Sequence, residues 1–265
     1  MIRTPISKKA SLACMLGTVI MIVLAYSWLS YRQKTFNPND TTVPNLSQFI
    51  AGLKFVVTPM PNGEILLWDD LKATYFRHFV GVTVGVILSL IIGILMGCWP
   101  AVESIFRIPI AFLAKIPPTA MIAVYFILFG TDMEMFVAMI GFGIFPGLAQ
   151  SVYLSVKEVS DDAVYKAYTL GASNYELIWN VIFPQILPRF FEAIRMATGP
   201  AMVFLIAAEW MVSDIGVGYR LRIQSRLLNM NIVYVYLIVL CLTTYIIDYS
   251  LKIVKNKVCP WNGEE

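Results

Sequence analysis

Residues able to do covalent chemistry are few and scattered in this chain. It has a single histidine, His78, and four cysteines, Cys14, Cys98, Cys241 and Cys259, with no C-x-x-C spacing among them. Metal sites and disulfide frameworks need such groups close together, so the cysteines read as small apolar fillers and no metal or cofactor is expected. No Gly-x-x-x-x-Gly-Lys-Ser/Thr phosphate loop occurs. No serine or cysteine nucleophile has an identifiable histidine base. The chain is expected not to be an enzyme and not to use ATP by itself.

The elements that hold these residues are set by composition. Of 265 residues, 58% are hydrophobic and only 14% are charged, against about 25% charged in a soluble domain. Mean hydropathy is +0.71. That excludes a disordered chain and an ordinary soluble enzyme, and a net charge of +3 gives no footprint for nucleic acid. The apolar residues fall in six blocks, roughly 12–31, 79–99, 108–129, 135–154, 193–212 and 232–251. Each is long enough to cross about 30 Å of hydrocarbon at about 1.5 Å per residue. A lone strand in lipid leaves its backbone groups unpaired. The predicted fold class is therefore all-α, a polytopic membrane protein with six transmembrane helices and lipid as its surroundings.

The first block follows Arg3, Lys8 and Lys9 and exceeds the usual signal-peptide core of about 7–15 residues, so it reads as an uncleaved span. With the N-terminus inside, cytoplasmic segments also collect Arg107, Lys157, Lys166, Arg189, Arg195, Lys252, Lys255 and Lys257. Outer segments hold Arg32, Lys34, Lys54, Lys72, Arg77, Arg220, Arg222 and Arg226. The bias favours both termini in the cytoplasm. Residues 32–72, with Pro38, Pro44, Pro59 and Pro61, have loop chemistry. Residues 65–76 read as an amphipathic interfacial helix with Trp68 at headgroup level. The expected division is 1–74, an N-terminal span with its external loop and interfacial helix, and 75–265, a core of five spans. No internal repeat is visible.

Three places in the core hold candidate pathway or gate residues. Glu209 lies near the outer end of the fifth span, where an ionisable group faces a cavity or a basic partner. Lys115 precedes Pro117 and Pro118, whose missing N–H groups free backbone carbonyls. Lys115 can meet an anionic substrate or snorkel to the headgroups, and snorkelling is favoured. Gly216 and Gly218 are candidates for a gate hinge or a plain turn, with Asp214 placed to cap a following helix. Asp248 and Lys252 are spaced to pair on one helix face.

The most informative segment is 155–191, a polar connection between the fourth and fifth spans, long for a loop. Ser160 can cap a helix whose first turn holds Asp161 and Asp162. That helix should stop at Gly171, a residue suited to the left-handed position. Ser173 and Glu176 fit a capping box. The second helix should run through Ile182 and end at Phe183-Pro184, with Pro188 a further break before the fifth span. Two short helices joined at a bend can project from a membrane into a groove of another protein, with Tyr165, Tyr168 and Leu170 offering apolar surface beside Lys166.

Here the residues resemble a known family. The run Ala167-Tyr168-Thr169-Leu170-Gly171-Ala172-Ser173, followed by Val181-Ile182-Phe183-Pro184, resembles the EAA loop of permease subunits of bacterial ABC importers. With Pro184-Gln185-Ile186-Leu187-Pro188 it is most similar to the nitrate, taurine, alkanesulfonate and bicarbonate group. The resemblance spans about residues 75–262, including Ile116-Pro117-Pro118, Ala207-Ala208-Glu209 and Gly216-Val217-Gly218-Tyr219. The pattern Gly218-Tyr219-Arg220, Arg226-Leu227-Leu228-Asn229-Met230 and Cys259-Pro260-Trp261 resembles a subgroup associated with urea or guanidine carboxylase genes. There is one departure. The family's Glu-Ala-Ala falls on Tyr165-Lys166-Ala167, so an acidic residue and one alanine are missing.

The resemblance implies a type I importer permease in the bacterial inner membrane, acting as a homodimer. Its pathway would carry a small polar nutrient, such as nitrate, bicarbonate, a sulfonate or taurine, or a urea- or guanidine-like compound. Its partners would be a cytoplasmic ATP-binding subunit and an extracytoplasmic substrate-binding protein. Tyr165, Lys166, Ala167, Leu170, Gly171 and Ala172 would meet the ATPase. The rival reading is an ATP-independent secondary carrier or channel.

Overall fold

In the computed structural model residues 7–37, 40–61 and 63–261 are described; Arg3 and Pro38, used above, lie outside them. Among the described residues every regular element is helical, and the chain divides into two compact units, Met1–Leu67 with Leu221–Ile238 and Trp68–Arg220 with Val239–Glu265. In chain order the helices are α1 (Lys8–Phe36), α2 (Leu46–Val57), α3 (Leu66–Cys98), α4 (Pro100–Leu113), α5 (Ile122–Phe129), α6 (Met133–Lys157), α7 (Asp161–Thr169), α8 (Asn174–Leu177), α9 (Phe183–Val212), α10 (Val217–Arg226) and α11 (Met230–Val258). Five segments are long and apolar enough to cross a membrane, or six if the bent pair α4–α5 is one span.

The packing of α3 on α6 settles that count. Gly81, Gly85, Ser89, Gly93 and Gly97 recur every four residues on one face of α3. A Cβ at Gly81 would come within 2.7 Å of Ile140, at Gly85 within 2.6 Å of Ile144, at Gly93 within 2.6 Å of Val152 and at Gly97 within 2.5 Å of Val156. Ser89 Oγ donates to the Phe145 carbonyl at 3.1 Å. Small residues let two backbones approach where lipid gives no hydrophobic drive for association. The partner numbers rise together along both helices, so α3 and α6 run parallel. The chain between them must cross back, and α4–α5 is that crossing.

Helix α9 runs antiparallel to α6. Ala201, Met202, Leu205 and Ala208 pack with Met135, Phe136, Met139 and Ile140 in one cluster. Ile182, Ile186 and Phe190 pack with Val152 and Val156 in another.

Several elements differ from the sequence reading. The third block is not one helix over 108–129. Helix α4 begins at Pro100 and the chain bends by 84° before α5. Pro117 is extended (ψ 120°), because two consecutive prolines remove two N–H donors and push the preceding residue out of the helical region. The loop read over 32–72 contains α2, started by a reciprocal capping box between Asn45 and Gln48. The interfacial segment is no separate helix but the first turns of α3, since nothing between Phe76 and Phe79 breaks it.

Pro184 and Pro188 do not punctuate. The chain stays helical from Asn174 to Val212 through one π-type turn at Ile178–Ile182, with Pro188 and Pro200 inside α9. A π turn shifts the hydrogen-bond register and absorbs the carbonyls that a proline leaves unpaired.

Candidate functional site

The corner between α7 and α8 is built by three local devices. Ser160 occupies the N-cap position without a side-chain bond, and Asp161 and Asp162 fill the first turn. At the other end Gly171 has φ +84°. Its N–H donates to the Tyr168 carbonyl at 2.9 Å, and the Ala172 N–H donates to the Ala167 carbonyl at 3.1 Å. That pair of bonds is a Schellman ending, which satisfies carbonyls the helix leaves open. Ser173 then starts α8: its N–H and hydroxyl each donate to Glu176 Oε2 at 2.8 Å, while the Glu176 N–H donates back to Ser173 Oγ at 3.3 Å. The Tyr168 hydroxyl braces the bend by donating to Asn174 Oδ1 at 2.9 Å.

This corner has an inner and an outer face. Val164, Ala167, Leu177 and Ile178 pack with Val152, Val156 and Ile182 on the ends of the spans. Leu170 is 88% exposed, and Tyr165 and Tyr175 also point outward. Lys166 is exposed, and among the described residues it has no ion pair. The corner is thus capped at its bend and turns a leucine and two tyrosines outward.

Pro117 and Pro118 form the bend between α4 and α5, with Lys115 exposed just before it. Pro118 also lies beside Gly143 of α6, 3.3 Å from where a Cβ would stand.

A second site lies at the far end of α9 from this corner. Glu209 is 0% exposed. Its carboxylate accepts from Arg77 Nη1 at 2.8 Å, from the Thr74 hydroxyl at 2.9 Å and from the Gly218 N–H at 2.9 Å. The Thr74 hydroxyl in turn accepts from the Val217 N–H at 2.9 Å. Asp70, also fully buried, accepts from the Gly216 N–H at 3.1 Å and from Arg220 Nε at 2.8 Å. Three successive N–H groups at the start of α10 are thus taken by side chains of α3 and α9. Those N–H groups have no intrahelical acceptor and carry the positive end of the helix dipole, which suits carboxylates. Two acids and two guanidinium groups thus pair within the cluster. Arg77 is held further by the Ile215 carbonyl at 2.8 Å and lies over the Phe136 ring at 4.2 Å.

The two glycines are required by this closeness. A Cβ at Gly216, where φ is +123°, would come within 2.5 Å of Glu209 Oε1, and one at Gly218 within 2.5 Å of the Ile206 carbonyl. Among the described residues Asp70, Thr74 and Glu209, and not Asp214, take the N–H groups at the start of α10. The sequence reading missed Asp70, Thr74 and Arg77. Their spacing was the available signal: the three are placed on one side of a helix whose later turns are almost wholly apolar.

At the α7 end, Asp248 of α11 is bound in a fork by Arg195 of α9 at 3.0 and 2.9 Å. This replaces the expected pairing of Asp248 with Lys252, because the guanidinium offers two parallel bonds where the ammonium offers one. Lys255, almost fully buried, donates to Glu192 at 2.8 Å.

The model for binding-protein-dependent transport system inner membrane components matches residues 80–258, which holds both the corner and the buried cluster apart from the start of α3. The chain belongs to that family. The taurine transport system permease protein of Escherichia coli (strain K12) is 26% identical over 262 residues, 99% of this chain and 94% of that one. A putative aliphatic sulfonates transport permease protein of Bacillus subtilis (strain 168) is 26% identical, covering 82% of this chain and 83% of its own. An inward-facing methionine ABC transporter structure shares the fold at a TM-score of 0.58 and 18% identity, over 70% of this chain and 92% of that chain. This member of the family is therefore a multi-pass transport permease whose two ends carry different constructions: a protruding corner at one and a closed polar cluster at the other.

Proposed function

We propose that this permease forms the pathway of an ATP-driven importer and is worked through the α7–α8 corner by a separate cytoplasmic ATPase. The observation that carries the reading is Leu170, held outward on a corner fixed by the Schellman ending at Gly171. Covering a leucine of that size stabilises a contact by about 2 kcal/mol, some thirtyfold in affinity. On this reading the α7 end and both termini are cytoplasmic, in a bacterial inner membrane. Tyr165, Lys166, Leu170, Gly171 and Ala172 meet the ATPase, Ala167 supports them from the inner face where it packs on the span ends, and Lys166 takes an acidic partner where the family's pattern has an acid. Two copies enclose the path, and an extracytoplasmic binding protein delivers the solute at the α10 end.

Similarity to taurine and aliphatic sulfonate permeases supports a small polar solute, with taurine and alkanesulfonates first and nitrate, bicarbonate and urea- or guanidine-like compounds after them. Lys115, Pro117 and Pro118 at the α4–α5 bend are the proposed pathway residues. Glu209 acts beside the path by fixing α10, and Gly216 and Gly218 let that outer segment close onto α9.

The reading is tested in membrane vesicles supplied with the binding protein and a panel of these solutes. Accumulation of one of them that needs ATP supports it. Accumulation driven by an ion gradient without ATP overturns it in favour of a secondary carrier.

A further inference from the structure

Within the unit made of residues 1–67 and 221–238, a groove of about 760 Å³ runs along α1. Along α1 its lining runs from the apolar Ile22 through Tyr26 and Ser30 to Lys34, faced by Phe49 and Ile238. The walls are fixed. The Tyr26 hydroxyl donates to the Pro44 carbonyl at 2.8 Å, its ring meets Tyr234 edge-on, and Ser30 Oγ donates to the Val43 carbonyl at 3.0 Å. From Ile22 to Lys34 helix α1 climbs about 18 Å. One leaflet of hydrocarbon is about 15 Å deep. The groove therefore reaches from the bilayer middle to the headgroup level of one leaflet, apolar where the chains end and cationic where the phosphates lie.

Lys34 is exposed, and among the described residues it makes no ion pair. The nearby acid Asp40 is engaged by Gln33 at 2.7 Å and by Thr42. We propose that the groove is a binding site for one anionic phospholipid, with an acyl chain along Tyr26 and Phe49 and its phosphate against the Lys34 ammonium. A Lys near an anionic headgroup is worth about fivefold in affinity.

The test is native mass spectrometry of the full chain in mild detergent, titrated with dioleoyl phosphatidylglycerol or dioleoyl phosphatidylcholine. One phosphatidylglycerol should be retained about fivefold more tightly than phosphatidylcholine. Lys34→Glu, an exposed change that spares folding, should erase that preference. Ser27→Trp, which fills the groove, should remove the retained lipid of either kind. Equal retention of both lipids, or a preference unchanged in Lys34→Glu, overturns the proposal. So does loss of a chain dimer in Ser27→Trp with lipid retention unaltered, which would make the occupant a second copy.

Discussion

Glu209 is the residue whose surroundings make the strongest demand. A carboxylate with no exposure is tolerated only when its charge and lone pairs are met, and Arg77, Thr74 and the Gly218 N–H meet them. Removing one partner of such a pair costs about 3–5 kcal/mol, because the other charge is left buried. Glu209→Ala should lower the thermal unfolding midpoint in detergent sharply, and Arg77→Met alone should do the same. The double variant should recover part of the loss. Independent, additive losses in that cycle would show that the two do not act as a pair. Gly171→Val places a β-branched residue at φ +84°, a strain of about 1–3 kcal/mol. The corner should deform while insertion and helix content, read by circular dichroism, stay unchanged. Leu170→Ala should leave the fold intact and weaken ATPase capture by about tenfold or more.

At the scale of elements, the contact between α3 and α6 rests on absent side chains. Gly93→Val would drive a branched side chain into Val152 and the Ala149 carbonyl, 2.6 and 2.9 Å from the new Cβ. It should reduce folded yield in membranes severely, as overpacking does. Gly147→Ala, with nothing within 4 Å, should be tolerated and serves as the control. Comparable yields from the two variants would remove the glycine stripe as the basis of the packing.

How far these features could be seen in the sequence depended on their range. The Gly171 ending and the Ser173–Glu176 box are complete within a few residues, so residue type alone pointed to them. The glycine stripe was equally visible at every fourth position but says nothing until a partner helix is named. The Asn45–Gln48 box announces α2, yet the surrounding prolines outweighed it. Pro184 and Pro188 misled because a soluble chain usually breaks at proline, whereas this one stays helical through both. The side-chain partners of Glu209, Thr74 and Arg77, lie some 130 residues away along the chain, and no local pattern links them.

For the whole molecule, the two ends of α9 assign the work. At one end α9 grows out of the α7–α8 corner without interruption; at the other its Glu209 is tied to α3 and to the start of α10. On the proposed reading, a push on the corner would reach the α10 end through one continuous helix, and the cluster would make the outer segment move with it. That is a mechanical account of how energy used at one face changes access at the other. On that reading the engine is the ATPase proposed at the corner.

The most direct measurement is a mild-detergent pull-down of the tagged chain from its native membranes, with mass spectrometry of what is retained, for wild type and for Gly171→Val. The account predicts a stoichiometric ATP-binding subunit with the wild type and its loss from the variant. Recovery of the wild-type chain without any ATPase, still transporting in ATP-free vesicles under an ion gradient, would contradict it.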